Sequence, residues 1–165
     1  RFFTPGFQRN MGDDMIKALG KNGGVIQINF GASFLDSVAR TNSKLLDSLE
    51  RVLGDQNLTS RDAAAQPIID QFVKNHNELF SDVEKVADHI DHVKVLAGID
   101  HVGIGSDYDG VGDSLPVGLK DVSQYPNLIF VLLKRGYTPE EIEKICYGNI
   151  QRVWNEVIKV AESAK

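Results

Sequence analysis

Cys146 is the single cysteine in 165 residues, so no disulfide can form within the chain and no cysteine-rich zinc site exists. No uninterrupted apolar run approaches the roughly 20 residues that a membrane-crossing helix needs. An excess of basic charge is missing too. Lys and Arg number 18 against 23 Asp and Glu, a net −5, which removes the electrostatic footprint of a nucleic-acid binder. There is no internal repeat and no low-complexity tract. The first residues, Arg1-Phe2-Phe3-Thr4-Pro5-Gly6-Phe7, hold no initiator methionine and no signal-peptide pattern, and read as the middle of a protein. Cellular compartment is left open. What remains is ordinary for a globular domain: 42% apolar and 25% charged residues, on a chain long enough for one real core.

The periodicity predicts a helix over residues 12–21, with Met15, Ile16 and Leu19 on one face and Asp13 and Asp14 in its first turn. Residues 25–30 follow as a strand, β-branched and nearly continuously apolar, as expected of a strand covered on both faces. Residues 37–80 read as a polar, helix-favouring insertion. Val38, Leu45, Leu46, Leu49, Val52 and Leu53 form part of one stripe, and Pro67, Ile68, Ile69, Phe72 and Val73 start another. Ser81 and Glu84 have the spacing of a capping box for the next helix, which carries Val83, Val86, Ile90, Val93 and Leu96 and stops at Gly98. A second strand covers residues 101–107. Residues 110–122 form a loop long enough to be functional. Ser123 is the expected cap of a helix through Leu133. Thr138-Pro139-Glu140-Glu141 opens another, and Ile142, Ile145, Ile150, Val153, Trp154, Val157 and Ile158 supply the last apolar face. Only two convincing strands appear, whereas sheets average five or six. The chain therefore reads as a segment of a larger α/β fold.

The densest chemistry lies in His101-Val102-Gly103-Ile104-Gly105-Ser106-Asp107-Tyr108-Asp109-Gly110. An apolar strand alternating with glycine delivers two carboxylates at its C-terminal end, where parallel sheets place their chemistry. A calcium loop fails, because Val111 and Gly118 fall at positions that must supply oxygen ligands. A haloacid-dehalogenase-like phosphatase would use Asp107 as nucleophile and Asp109 as acid/base. A barrel hydrolase would use Asp107 as a base or metal ligand. A bland alternative has both acids bracing the loop. Arg9 follows an aromatic-rich loop and could grip a carboxylate through two parallel hydrogen bonds, or sit in a surface ion pair. His89 and His92 suit packing along a helix better than metal ligation. His101 starts its strand at the edge opposite Asp107 and reads as structural. Cys146, among apolar residues, reads as a buried, inert thiol.

Several segments together resemble the C-terminal half of the membrane dipeptidase (renal dipeptidase, peptidase M19) family. They are Arg9-Asn10-Met11-Gly12-Asp13-Asp14, Gly23-Gly24-Val25-Ile26-Gln27-Ile28-Asn29-Phe30, Val86-Ala87-Asp88-His89-Ile90-Asp91-His92, residues 98–110 and Gly148-Asn149-Ile150-Gln151-Arg152-Val153. They run in family order over nearly the whole chain. The resemblance implies a (β/α)8 barrel whose seventh and eighth strands lie here. Residues 1–165 would form its C-terminal segment, with 37–80 as an insertion and 123–165 as closing helices. It implies a metallo-dipeptidase with two zinc ions, in which Arg9 binds the dipeptide's terminal carboxylate and Asp107 transfers protons. Asp109 is left as loop support. The family's metal ligands all fall upstream of Arg1, so none is assigned to the four histidines. The missing N-terminal half of the barrel is then a required partner, these residues alone would be inactive, and a homodimer is a further family expectation. A phosphatase using Asp107 and Asp109, and a non-catalytic relative, stand as alternatives.

Overall fold

The computed structural model describes residues 2–37, 39, 42–76, 81–111 and 114–164, without the side chains of 43, 44 and 46. Val38 and the side chain of Leu46, expected in the insertion's stripe, lie outside the described set.

Helix α1 (Asp13–Lys21) has acids in its first turn and Lys21 in its last, and buries Ile16. Strand β1 (Ile26–Asn29) pairs in parallel with β2 (Val102–Ser106), Ile26 opposite Val102 and Ile28 opposite Ile104. The strands are thus shorter than the apolar runs containing them. Between them come α2 (Ala32–Leu35), α3 (Ser43–Asp55), α4 (Gln66–Asn75) and α5 (Val83–Ala97). After β2 come α6 (Tyr125–Lys134), α7 (Pro139–Glu143), a π-helical turn (Lys144–Gly148) and α8 (Asn149–Ser163).

One face of the two-stranded sheet is packed. Ile28, Phe30 and Val102 meet Val86, Ile90 and Val93 from α5, Leu128, Val131 and Leu132 from α6, and Ile142 and Ile145. Burying each large side chain contributes about 1.5–3 kcal/mol, so this layer holds the sheet. The insertion has a small core of its own, built from Leu49, Leu53, Ala65 and Ile69.

The other face carries no cover among the described residues: Gln27 is exposed at the middle of β1, in a run the sequence reads as covered on both sides. The alternating glycines of β2 are explained there. A Cβ at Gly103 would collide with Gln27 Oε1, and one at Gly105 would lie 3.0 Å from Gln27 Cβ. The glycines make room for a polar side chain crossing the open face.

Three further expectations change. Helix α5 is capped by Asp82, which accepts from Lys85 N at 3.0 Å, and not by Ser81. Asp82 holds the extended N-cap backbone next to the first helical residue, Ser81 Oγ is buried without a partner among the described residues, and Glu84 turns to Arg135 at 2.6 Å. Asp121, not Ser123, caps the turn before α6, and it accepts from Ser123 N. Cys146 is exposed, because in the π-helical turn Ile145 takes the buried position beside it. The apolar stripe of α8 is also uncovered among the described residues: Trp154 is 64% exposed and Val157 62%. The capping box of Thr138 and Glu141 is present as its spacing predicts.

Candidate active site

The N-terminal edge of the sheet is sealed by polar side chains. His101 Nδ1 donates to Gly24 O at 2.7 Å, the structural role expected of it. Asn149, only 2% exposed, donates to both Ile99 O (2.7 Å) and Val102 O (2.8 Å). Arg152 donates to Gly23 O and Asp100 O, each at 2.8 Å. These bonds satisfy backbone carbonyls where β1 and β2 begin.

The C-terminal edge is arranged differently. The β1–β2 register shifts between Ile28 and Asn29, so that Asn29 pairs with Ser106 and Gly105 is passed over. The chain then turns sharply. Ser106 (φ 45°) and Asp107 (φ 70°) both adopt left-handed backbone, which costs a non-glycine residue about 1–2 kcal/mol. Consecutive residues of this kind at a sheet edge mark a place where geometry matters more than comfort. The turn projects Asp107 into an open cleft of about 490 Å³, lined also by Gln27, Asn29, Ser106, Tyr108 and Asp109. Asp107 Oδ2 accepts from Asn29 Nδ2 at 2.6 Å. Asp109 is exposed and lines the same cleft, with no hydrogen bond tying it to another described residue. The Tyr108 hydroxyl donates to Asp121 O at 3.0 Å, and burial pushes its pKa up to about 12, so it stays protonated.

Arg9 reaches the same edge by another route. Asn10 Nδ2 donates to Phe34 O (2.7 Å) and to Thr4 Oγ1 (2.8 Å), tying the N-terminal loop to α2, which follows β1 directly. The Arg9 guanidinium lies 4.7 Å from the centre of the Phe34 ring. Stacking of this kind orients the fork while its outer edge stays exposed. Arg9 borders a second cavity, of about 230 Å³, which shares Gln27 and Asn29 with the first. The structure therefore brings Arg9 and Asp107 to one edge, with Asn29 between their clefts. The motif reading passed over Asn29 and Gln27. Their signal was polarity at two positions of an otherwise apolar strand.

The histidines go elsewhere. His89 Nε2 donates to Leu35 O at 2.9 Å, and desolvation lowers its pKa despite that bond. His92 Nε2 pairs with Asp13 at 2.9 Å. Among the described residues no three of His, Cys, Asp and Glu converge on a metal-sized site.

A parallel strand pair with an acid at its carboxyl edge and an arginine on the adjoining cleft has the architecture of the α/β class, which places its ligands at that edge. Within that class, the chain belongs to the membrane dipeptidase family (peptidase family M19), which matches residues 6–165. It is 45% identical to human Dipeptidase 3 over 87 residues, 53% of this chain and 18% of that protein. Its fold is similar to the crystal structure of the probable dipeptidase PvdM from Pseudomonas aeruginosa, at a TM-score of 0.67 and 28% identity over 96% of this chain and 43% of that one. It is also similar to a metallo peptidase from Rhodobacter sphaeroides liganded with a phosphinate mimic of the dipeptide L-Ala-D-Ala. There the TM-score is 0.59 and the identity 27%, over 90% of this chain and 31% of that one. The chain thus spans less than half the length of the relatives it matches.

Proposed function

We propose that the chain is the substrate-gripping and proton-transferring part of a metal-dependent dipeptidase. The observation that carries this reading is the shared edge: Arg9 and Asp107 line two clefts that have Gln27 and Asn29 in common. The relative from Rhodobacter sphaeroides, liganded with a dipeptide mimic, supports dipeptides as the substrate class. The family match takes in the whole Asp107-Tyr108-Asp109-Gly110 motif and leaves the phosphatase alternative without ground.

Arg9 takes the C-terminal carboxylate of a dipeptide through two parallel charge-assisted hydrogen bonds. That contact favours short substrates and lowers the entropic cost of the reaction by fixing the scissile bond. Asp107 accepts a proton from the attacking water and passes one to the leaving amine. A metal in such an enzyme supplies Lewis acidity and an activated water. The described residues of this chain do not by themselves fit it, so two zinc ions held by other parts of the enzyme are part of the proposal. So are the placement of β1 and β2 as seventh and eighth strands of one (β/α)8 barrel, with 37–80 as its insertion, and the homodimer.

The test uses the whole metal-loaded enzyme. Asp107→Asn should lower kcat by about 10²–10⁴-fold with KM little changed, the span typical of a lost general acid–base. Arg9→Ala should raise KM about 10–100-fold for a free dipeptide and leave a C-terminally amidated one unaffected. Full turnover by the Asp107 variant would sink the proposal.

A further inference from the structure

Asn29 has both ends of its amide committed. Its Oδ1 accepts from Gly31 N at 2.7 Å, and an N–H can only donate, so the amide oxygen must face Gly31. Nδ2 is thereby turned to Asp107 Oδ2, at 2.6 Å. The backbone of Asn29 is fixed as well. It pairs with Ser106 at the register shift, and the next residue, Phe30, donates its N–H to Ser106 O at 3.0 Å. Gly31 is pinned in turn: a Cβ there would lie 2.9 Å from Val111 Cγ1, 3.1 Å from Asn29 Oδ1 and 3.2 Å from Phe34 Cδ2. Phe34 is the ring beneath Arg9.

We infer that Asn29 is the positioning residue of this site. It holds Asp107 by Oδ2, keeps the left-handed turn at Ser106 and Asp107 in place, and leaves Oδ1 as the oxygen that works. No hydrogen bond engages Oδ1 among the described residues. The physical ground is that, without this bond, no side-chain hydrogen bond among the described residues would fix the rotation of a carboxylate carried on a strained turn. A general base misplaced by about 1 Å can lose on the order of 10² in rate. Through Gly31 the same side chain abuts the support of Arg9, so one asparagine relates the proton-transfer end of the site to the carboxylate-binding end. This inference rests on the role proposed for Asp107.

The experiment is a double-mutant cycle in the whole metal-loaded enzyme, with Asn29→Ala, Asn29→Asp, Asp107→Asn and the pair Asn29→Ala/Asp107→Asn. Asn29→Ala should lower kcat about 10–100-fold and move KM by less than about 3-fold. Asn29→Asp keeps the shape but sets two carboxylates against each other, and should lose more. In the Asp107→Asn background, Asn29→Ala should cost less than about 2-fold, because its effect acts through that carboxylate. Metal content should stay at the wild-type level throughout. If Asn29→Ala cannot be folded, the isosteric Asn29→Asp carries the test. Normal kcat in the Asn29 variants while Asp107→Asn is crippled would overturn the inference and leave the proposed function standing. So would losses that simply multiply in the double variant. Wild-type turnover by Asp107→Asn would instead overturn the proposed function itself.

Discussion

Gly110 stands against the carboxylate of Asp107. A methyl group on its Cα would overlap Asp107 Oδ1 and lie 3.2 Å from Cγ. The backbone of Gly110 is not left-handed, so alanine could adopt it; the carboxylate is what would have to move. Gly110→Ala should therefore lower kcat about 10–100-fold while shifting the melting temperature little. Steady-state kinetics beside thermal unfolding checks this. A large loss of stability with kcat per folded molecule unchanged would show that Gly110 serves the loop and not the acid.

At the opposite edge the expected consequence is the reverse. Asn149 is buried and satisfies the carbonyls of Ile99 and Val102 with one amide. Asn149→Leu should cost about 1–3 kcal/mol for the carbonyls left without a donor, with kcat and KM of the folded enzyme near wild type. Denaturant unfolding of the whole enzyme measures it. A variant as stable as the parent would mean that water takes over the amide's role.

His89 makes stability depend on pH. Desolvation holds its folded pKa below the ordinary histidine value, and the hydrogen bond to Leu35 O offsets this only in part. The unfolded chain therefore takes up a proton that the folded chain refuses, from the ordinary histidine pKa of about 6.5 downward. Stability from the neutral ring is fully present above that pKa and is lost as pH falls through it toward the lowered folded value. Melting temperature between pH 7.5 and 5 should decline, and His89→Gln should flatten the decline. An unchanged slope in the variant would place the pH dependence elsewhere.

Much of this fold was legible because local physics decided it. Val86, Ile90 and Val93 recur at helical spacing, and they are the face that α5 buries. Thr138 and Glu141 cap α7 as their spacing demands. Legibility failed where two local solutions competed. Ser81 and Asp82 can both cap α5, and the choice turns on the backbone conformation at Asp82, which the Val83–Val117 hydrogen bond at 3.0 Å helps to set. The burial expected for Cys146 failed because a helical period cannot foresee a π-helical turn that shifts the face by part of a residue step.

The site divides along the same line. Of the proposed site, Arg9 and Asp107 were named from the sequence, since a guanidinium and a carboxylate in motifs with that order suggest their chemistry. Asn29 was not. Its side chain is neutral, and its partner is 78 positions away. The amino-acid sequence by itself determined two apolar strands, the helices that cover one face of them, and the charged groups at their ends, because these follow from residue type and short-range period. The skipped residue at Gly105 and the amide reaching from β1 to Asp107 were decided only in three dimensions. A register shift and a cross-strand hydrogen bond are relations between distant segments, and no local pattern contains them.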